Sequence, residues 1–268
     1  MAELKKYTFN SFYTMEFVPK DVSLFRSSVD ALKEFLPTAQ LCFSKDGLGI
    51  RGMDPSHVGF VDYFLAADDC TRADLKSSLI IGVHMSVLAK VLSPVGAGDS
   101  VTLTYNKKAQ LVVTCYNAKV AKKAVYEIST LDIDDAEVAI PGFEYGANIT
   151  VKTGDLYSVV KELSHFGEKL DLKLDEHGLH MSTQGDHGNV NQTLENTEDR
   201  EMTLNDDSVT AAFGIKYILM ILKGGGPQAA TMQLEFDPAH PMKCTFRFGE
   251  RSYFIAYLAP KTSDDVDN

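Results

Sequence analysis

The chain has 268 residues, enough for one large or two ordinary domains, and either could bury a substantial core. Hydrophobic residues make up 44% and charged residues 24% of the sequence, which excludes global disorder and collagen-like repeats. The formal charge of −11 argues against a protein that coats nucleic acid with its whole surface, although it permits a local basic zone.

The same succession of predicted elements occurs twice along the chain, at a shift of about 131 residues. In each copy an amphipathic stretch precedes an alternating run, a turn around Gly47 or Gly178, and a second alternating run. Each copy then continues with a further helical stretch and a glycine-bearing break. Each copy ends in another strand, at residues 100–105 in the first copy and 231–236 in the second. The pattern predicts two similar domains, each made of two similar halves.

Four amphipathic helices are predicted from apolar residues that recur at i, i+3, i+4 and i+7, so that each helix buries one face on a sheet. In chain order, the apolar positions are Leu24, Phe25, Leu32 and Phe35; Met85, Leu88, Val91 and Leu92; Leu156, Val159, Val160, Leu163 and Phe166; and Ile215, Ile218, Leu219 and Leu222. Glycines 224–226 lack the Lys-Ser/Thr that follows in a phosphate-binding loop, and we interpret them as the end of the fourth helix.

The outward faces of these helices carry basic side chains. They are Arg26, Lys33, Lys90, Lys161, His165, Lys216 and Lys223. The helical segments together are slightly basic, whereas the whole chain carries −11, as expected if the helices share a surface that faces a polyanion. Ordinary solvated helix faces are the alternative, because Asp30 and Glu162 lie among the basic residues.

Residues 131–145 form an acidic connector between the two predicted domains. The connector has four acidic residues within six positions, shows neither helical nor strand periodicity, and is broken by Pro141-Gly142. It also carries Val138, Ile140 and Phe143, apolar residues that a solvated spacer would not need. We therefore expect a docking groove beside it, with a plain spacer as the alternative.

The four cysteines, at positions 42, 70, 115 and 244, match neither a zinc motif nor a disulfide-dense scaffold. We expect buried thiols in a reducing compartment. No apolar run approaches the ~20 residues that a membrane-spanning helix needs, and the N-terminus lacks the apolar stretch of a secretory signal. These features predict a soluble protein that is not exported.

Four short motifs, in order, carry a family resemblance. They are MDPSHV at residues 53–58, AIP at 139–141, LSH at 163–165, and YLAPK at 257–261 before an acidic tail. From about Thr14 to the C-terminus, the sequence resembles the proliferating cell nuclear antigen family, the DNA sliding clamps of eukaryotic and archaeal type.

The resemblance implies an α+β DNA-clamp fold: two similar domains, each of two β-α-β-β-β units, with antiparallel sheets outside and helices lining a ring. The expected parts are residues 1–130, including an N-terminal extension of about 13 residues, the connector at 131–145, and residues 146–268 with the acidic tail. The implied function is that of a homotrimeric, non-catalytic processivity factor without cofactor or metal. It would encircle duplex DNA and tether DNA polymerase and other replication or repair enzymes.

The resemblance also assigns site residues. Positions that face DNA in the family match Arg26, Lys33, Lys90, Lys122, Lys161, His165, Lys216 and Lys223. Positions that line the partner-peptide groove match Met53, His57, Val58, Phe60, Val138, Ile140, Pro141, Tyr145, Pro241, Tyr257, Leu258, Ala259 and Pro260. Subunit contact is expected between an edge strand near residues 119–129 and a neighbour's strand near 187–194.

Other implied features concern regulation and location. A clamp loader is an expected partner, and the expected location is the nucleus, or the site of viral DNA replication if the chain is virally encoded. Ser93 and Ser158 stand where familiar members are basic, so we expect a weaker positive field. Glu176 replaces the family's ubiquitin-accepting lysine, which makes that route of regulation doubtful here.

Two other classes of function are weighed against the clamp. A monomeric or hetero-oligomeric clamp-like processivity factor would share the fold without closing a ring. A metal-dependent hydrolase could be drawn from His177, His180, Asp186 and His187, but His177 and His180 would point to opposite faces of adjacent strands. Asp54, Ser56 and His57 lie too close together in one loop to form an aligned nucleophilic relay.

Overall fold

The computed structural model describes residues 13–106, 110–133, 141–186, 188–197, 200–227 and 229–261. The chain divides into two compact units. Unit 1 consists of Met1–Lys33, Pro37–Ile50 and Phe64–Asp135. Unit 2 consists of Glu34–Leu36, Arg51–Tyr63 and Ala136–Asn268. Unit 2 therefore contains the MDPSHV segment of the first half of the sequence as well as the whole second half.

The first half of the chain alternates strands with two helices. Its elements are β1 (Tyr13–Pro19), α1 (Val22–Phe35), β2 (Thr38–Ser44), β3 (Gly47–Met53), β4 (Gly59–Ala66), β5 (Cys70–Leu75), β6 (Leu79–His84), α2 (Met85–Leu92), β7 (Ser100–Asn106), β8 (Gln110–Asn117) and β9 (Lys122–Ser129). Strands β5-β1-β7-β8-β9 form an antiparallel sheet in that order, and β2 pairs with both β3 and β6.

The second half repeats this plan. Its elements are β10 (Ala147–Lys152), α3 (Thr153–Leu163), β11 (Lys169–Asp175), β12 (Gly178–Gly185), β13 (Gly188–Glu195), β14 (Met202–Leu204), β15 (Ser208–Gly214), α4 (Ile215–Gly225), β16 (Thr231–Phe236), β17 (Met242–Arg247) and β18 (Tyr253–Leu258). One sheet has the order β13-β12-β11-β15, and another runs β14-β10-β16-β17-β18, with β4 beside β18. The strand pairs of both sheets are antiparallel.

Two equivalent hairpins make the internal repeat visible. Gly47 opens β3 with φ +146°, and Gly178 opens β12 with φ +138°. A Cβ atom at Gly47 would lie 2.1 Å from the carbonyl oxygen of Leu65, and one at Gly178 would lie 2.3 Å from that of Leu194. Both turns need glycine, because the backbone conformation and the neighbouring strand leave no room for a side chain.

The four predicted helices are present, and each buries one apolar face. Each helix has a fully buried residue in the core: in the order α1 to α4, these are Leu32, Leu88, Leu163 and Ile221. Phe166 differs from the prediction, because it follows the end of α3 and is 41% exposed. The chain leaves the helix in a tight turn, in which Phe166 N donates to Leu163 O at 3.0 Å, and this turn carries its ring off the buried face.

The glycines after the fourth apolar stretch end the helix later than expected. α4 continues through Gly224 and ends at Gly225, with Gly226 as its C-cap residue. A Cβ atom at Gly225 would lie 2.4 Å from the ring of Phe246, so the glycine allows helix and sheet to approach closely. The interpretation of this segment as a helix end is correct, but its first two glycines belong to the helix.

All four cysteines are free thiols. Cys70 and Cys244 are buried, whereas Cys42 and Cys115 are only half-buried. Burial, reinforced by the nearby Asp69, raises the pKa of the Cys70 thiol to about 12. Within the described ranges, no helix is both long and apolar enough to cross a bilayer.

Candidate functional site

The basic residues of the first half that are predicted to face DNA differ in their contacts within the protein. Arg26 on α1 is half-buried, and its Nη1 donates to the carbonyl oxygen of Val95, just beyond α2, at 2.6 Å. Lys33 forms an ion pair with Asp30 on the same helix at 2.9 Å. Lys90 on α2 and Lys122 at the start of β9 are exposed. Arg26 therefore binds the segment that follows α2, and the helical spacing of the sequence does not reveal this contact.

In unit 2, helices α3 and α4 pack against each other. Lys161 on α3 and both Lys216 and Lys223 on α4 are exposed. His165, in the turn after α3, is also exposed. This helix pair presents three ammonium groups to solvent, an arrangement that suits contact with phosphates and carries no means of distinguishing bases.

The turn between β3 and β4 is built around the carboxylate of Asp54, which is only 6% exposed. Its Oδ1 accepts from Val58 N at 2.8 Å and from Gly59 N, and its Oδ2 accepts from Ser56 N at 3.0 Å and from the Ser56 hydroxyl. Burial alone would raise the pKa of Asp54, but these hydrogen bonds outweigh it and lower the pKa below its ordinary value. The ionised carboxylate thus fixes the backbone of the turn.

This fixed turn presents two predicted groove residues at the surface. Met53 is 38% exposed. His57 is held at φ +58°, and its Nδ1 lies 3.2 Å from the sulfur of Met53. The backbone oxygen of Val58 accepts from Ala259 N at 2.9 Å, which joins the turn to the segment after β18. The structure therefore brings the first and last predicted groove segments together within unit 2.

Two of the predicted groove residues belong to the core. Phe60 is 5% exposed and Leu258 is fully buried. The ring centroids of Phe60 and Tyr257 are 6.2 Å apart. Tyr257, Ala259 and Pro260 remain partly exposed, so these predicted groove residues are half-buried side chains beside a packed core.

The end of the connector carries further predicted groove residues. Tyr145 is half-buried, and its hydroxyl donates to the carbonyl oxygen of Pro241 at 2.9 Å. Burial raises the pKa of the Tyr145 hydroxyl well above its ordinary value, which keeps it a neutral donor. Pro141 is exposed and Pro241 is half-buried. Val138 and Ile140, the remaining predicted groove residues, lie outside the described residues.

Sequence reasoning missed a cluster beside Tyr145. The His240 ring lies 4.8 Å from the Phe143 ring and 6.3 Å from the Tyr145 ring, between centroids. Asp237 accepts from the His240 ring at 2.8 Å and from the backbone N of Ala239 at 2.7 Å. The Asp-x-x-His spacing in the turn before β17 is the signal that could have indicated it, since Asp readily binds nearby backbone groups in turns.

The described residues from which a metal site could be drawn do not come together in the structure. His180 lies between Asp175 Oδ1 and the hydroxyl of Thr193, 2.9 Å from each. Hydrogen bonds from Lys173 and then His180 hold the pKa of Asp175 well below its ordinary value. His177 is exposed in the preceding turn. Asp186 is also exposed, and His187 lies outside the described residues. Among the described residues, no three His, Cys, Asp or Glu side chains are grouped to hold a metal ion.

Two strands expected at subunit contacts lie at sheet edges. β9 is the last strand of the β5-β1-β7-β8-β9 sheet, and β13 is the first of the β13-β12-β11-β15 sheet. Each therefore has one side that is not paired within its own sheet. Lys122 and Lys123 are exposed at the start of β9, and Glu195 is exposed at the end of β13.

The chain is similar to known proteins along nearly its whole length. It matches two family models, described as the N-terminal domain of proliferating cell nuclear antigen over residues 14–137 and the C-terminal domain over residues 139–261. The crystal structure of Proliferating Cellular Nuclear Antigen from Entamoeba histolytica has a similar fold, with a TM-score of 0.85 at 23% sequence identity. The match covers 93% of this chain and 100% of that chain. The predicted family and α+β clamp fold are both confirmed.

Proposed function

Because the chain belongs to the proliferating cell nuclear antigen family of DNA sliding clamps, we propose that it closes a homotrimeric ring around duplex DNA. In this role it tethers DNA polymerase and other replication and repair enzymes to the template, catalyses no reaction itself and is opened by a clamp loader. It acts in the nucleus, or where a virus replicates its DNA. The observation that carries the proposal is the match of both clamp-domain models in the expected order.

The helix lysines support non-specific contact with DNA. Lys90, Lys161, Lys216 and Lys223 are exposed, and flexible ammonium groups neutralise phosphates without reading base edges. Arg26 and Lys33 each have a partner in the protein, so we expect them to add less to this contact. Weak contacts suffice for a clamp, because a closed ring is retained on DNA by its topology and must still slide.

The edge strands support self-association through β9 of one subunit and β13 of the next, since unpaired strand edges accept another strand. The charges favour an antiparallel pairing. It would bring Lys122 and Lys123, at the start of β9, towards Glu195 at the end of β13. A parallel pairing would instead bring Glu127 towards Glu195 and leave the lysines beside uncharged residues.

The groove supports binding of short peptides with aromatic anchors. Two anchors that each bury roughly 200 Å² contribute about 10 kcal/mol at ~25 cal/mol/Å². At least ~4 kcal/mol is lost with the freedom of the peptide, which leaves about 6 kcal/mol. That value corresponds to a dissociation constant of tens of micromolar, weak enough for partners to exchange.

Analytical ultracentrifugation tests the ring. We expect a species near three times 29.5 kDa, and a Lys122→Glu, Lys123→Glu variant should sediment as a monomer. Adding Glu195→Lys to that variant should restore the trimer, because the charge pairs are re-formed with opposite sign. A wild-type chain that stays monomeric at micromolar concentration would contradict the ring and favour the non-ring processivity factor.

Retention on DNA tests the clamp itself. With its loader, the protein should stay bound to closed circular duplex at high salt and slide off the same plasmid once it is linearised. It should also lengthen the products of a polymerase that carries an aromatic-anchored peptide motif. Equal retention on circular and linear DNA would contradict topological binding.

A further inference from the structure

The junction between β15 and α4, residues 212–217, contacts both the first and the last segment of the partner groove. All of these residues belong to unit 2. The two contacts involve different atoms and different parts of the groove. The same junction carries Lys216, one of the exposed lysines proposed to contact DNA.

The first contact is a hydrogen bond between side chains. The Ser56 hydroxyl lies 2.9 Å from the hydroxyl of Tyr217 on the first turn of α4. Ser56 also donates to the buried carboxylate of Asp54, whose other bonds fix the turn that presents Met53 and His57. Asp54 makes most of the hydrogen bonds that hold this turn, and Tyr217 adds one more through the Ser56 hydroxyl.

The second contact is between backbone groups. Lys261 N donates to the carbonyl oxygen of Ala212 at 2.8 Å. Two residues earlier, Ala259 N donates to Val58 O at 2.9 Å. The segment 259–261 is thus bound at one end to the Asp54 turn and at the other to the strand that leads into α4. The junction is therefore hydrogen-bonded to both predicted groove segments.

We propose that Tyr217 couples the partner groove to α4, so that phosphate contact at α4 and peptide binding in the groove change each other's affinity. This inference rests on the proposed function, because it takes DNA and peptide as the two ligands. Tyr217 is a positioning residue in this proposal, because its hydroxyl is bonded to Ser56 and acts on the groove through that residue. Because binding free energies are linked, DNA must change peptide affinity by the same factor as peptide changes DNA affinity.

The variant Tyr217→Phe tests this coupling without disturbing the fold. The variant removes the hydroxyl alone, and Ser56 keeps its bond to Asp54, so the turn should remain formed. Ser56→Ala removes the same link from the other side, together with the hydroxyl's bond to Asp54, so this variant is compared only by its response to duplex. If both act through one hydrogen bond, the double variant should behave like either single variant. Tyr157→Phe on α3 is the matched control, since Tyr157 is also a half-buried helix tyrosine.

The experiment measures the dissociation constant of a labelled aromatic-anchored peptide by fluorescence anisotropy, with and without a short duplex at low salt. Wild type and Tyr157→Phe should show about a fivefold change when duplex is added, within the usual range of allosteric coupling. Tyr217→Phe and Ser56→Ala should show less than about twofold, and Tyr217→Phe should keep a melting temperature close to that of wild type. Mutation of the DNA contact with Lys216→Ala should also reduce the change.

The outcomes are distinguishable. A wild-type chain whose peptide affinity does not respond to duplex, or a Tyr217→Phe variant that responds as wild type does, would overturn the coupling while leaving the clamp function intact. Absence of peptide binding without DNA would instead overturn the proposed groove, and the coupling with it.

Discussion

The His240 imidazole packs on the Phe143 ring, with 4.8 Å between the centroids and 37° between the planes. Its Nδ1 lies 2.8 Å from Asp237 Oδ2, and Asp237 also accepts from His240 N at 2.9 Å. One side chain thus binds the end of the connector to the turn between β16 and β17. If the connector lines the proposed groove, the position of this ring should affect peptide binding.

His240→Ala should weaken binding of the aromatic-anchored peptide by about two- to tenfold, because an aromatic pair contributes ~0.5–1.5 kcal/mol. His240→Phe keeps a ring against Phe143 and should recover most of the affinity. Isothermal titration calorimetry on both variants would measure the difference. An alanine variant that binds like wild type would mean that the connector end is held by Tyr145 alone.

Asp54 should make stability depend on pH on the acid side. Its pKa is lower in the folded chain than its ordinary value of 3.8, so the folded state favours the ionised form. That stabilisation is complete above about pH 5 and is lost as pH falls through the unfolded and then the folded pKa. Urea unfolding of wild type should therefore show a decline below about pH 4. Asp54→Asn should make this decline shallower without abolishing it, because Asp175, whose pKa is also lowered, still contributes.

A control distinguishes this effect from general acid unfolding. Asp206 is exposed, and Asp206→Asn should keep the wild-type dependence on pH. Asp54→Asn should also be less stable at neutral pH, by about 1–3 kcal/mol, because the amide cannot accept all of the turn's hydrogen bonds. A flat wild-type profile between pH 5 and 3 would refute the role of the Asp54 charge.

Replacement of Lys161 and Lys216 by alanine should weaken duplex binding and reduce its salt dependence. Each lost phosphate contact lowers the slope of log K against log salt by about 0.9. Anisotropy titrations over a range of salt concentrations would measure both quantities. Lys45→Ala, at the exposed β2–β3 turn, is the control and should change neither. Unchanged slopes in the double variant would exclude α3 and α4 from the DNA contact.

Two glycine-to-alanine changes in helices should have opposite effects. Alanine is favoured over glycine in a helix by ~1 kcal/mol. At Gly154, where a Cβ atom would meet nothing within 4 Å, the variant should be slightly stabilised. At Gly225 the Cβ atom would lie 2.4 Å from the Phe246 ring, and the clash should destabilise the protein by about 1–3 kcal/mol. Chemical unfolding compares the two, and equal stabilities would contradict close helix–sheet packing.

Most elements could be predicted because their signals are local. Leu88 and Ile218 recur at helical spacing with their neighbours, and Gly47 and Gly178 stand at hairpins whose backbone conformation excludes side chains. Phe166 fits the same helical period but lies beyond α3. The error arises because periodicity records which residues could share a face and does not record where the backbone turns away.

The sequence by itself determined the repeated helices and strands, the hairpin turns and the family, since each depends on residues close together in the chain or on motifs in order. Only the tertiary structure decided that Arg26 binds Val95, 69 positions away, and that Ser56 meets Tyr217 across 161 positions. Such contacts leave no local pattern, because a hydroxyl or guanidinium bonds whichever group the packing of distant elements brings within reach.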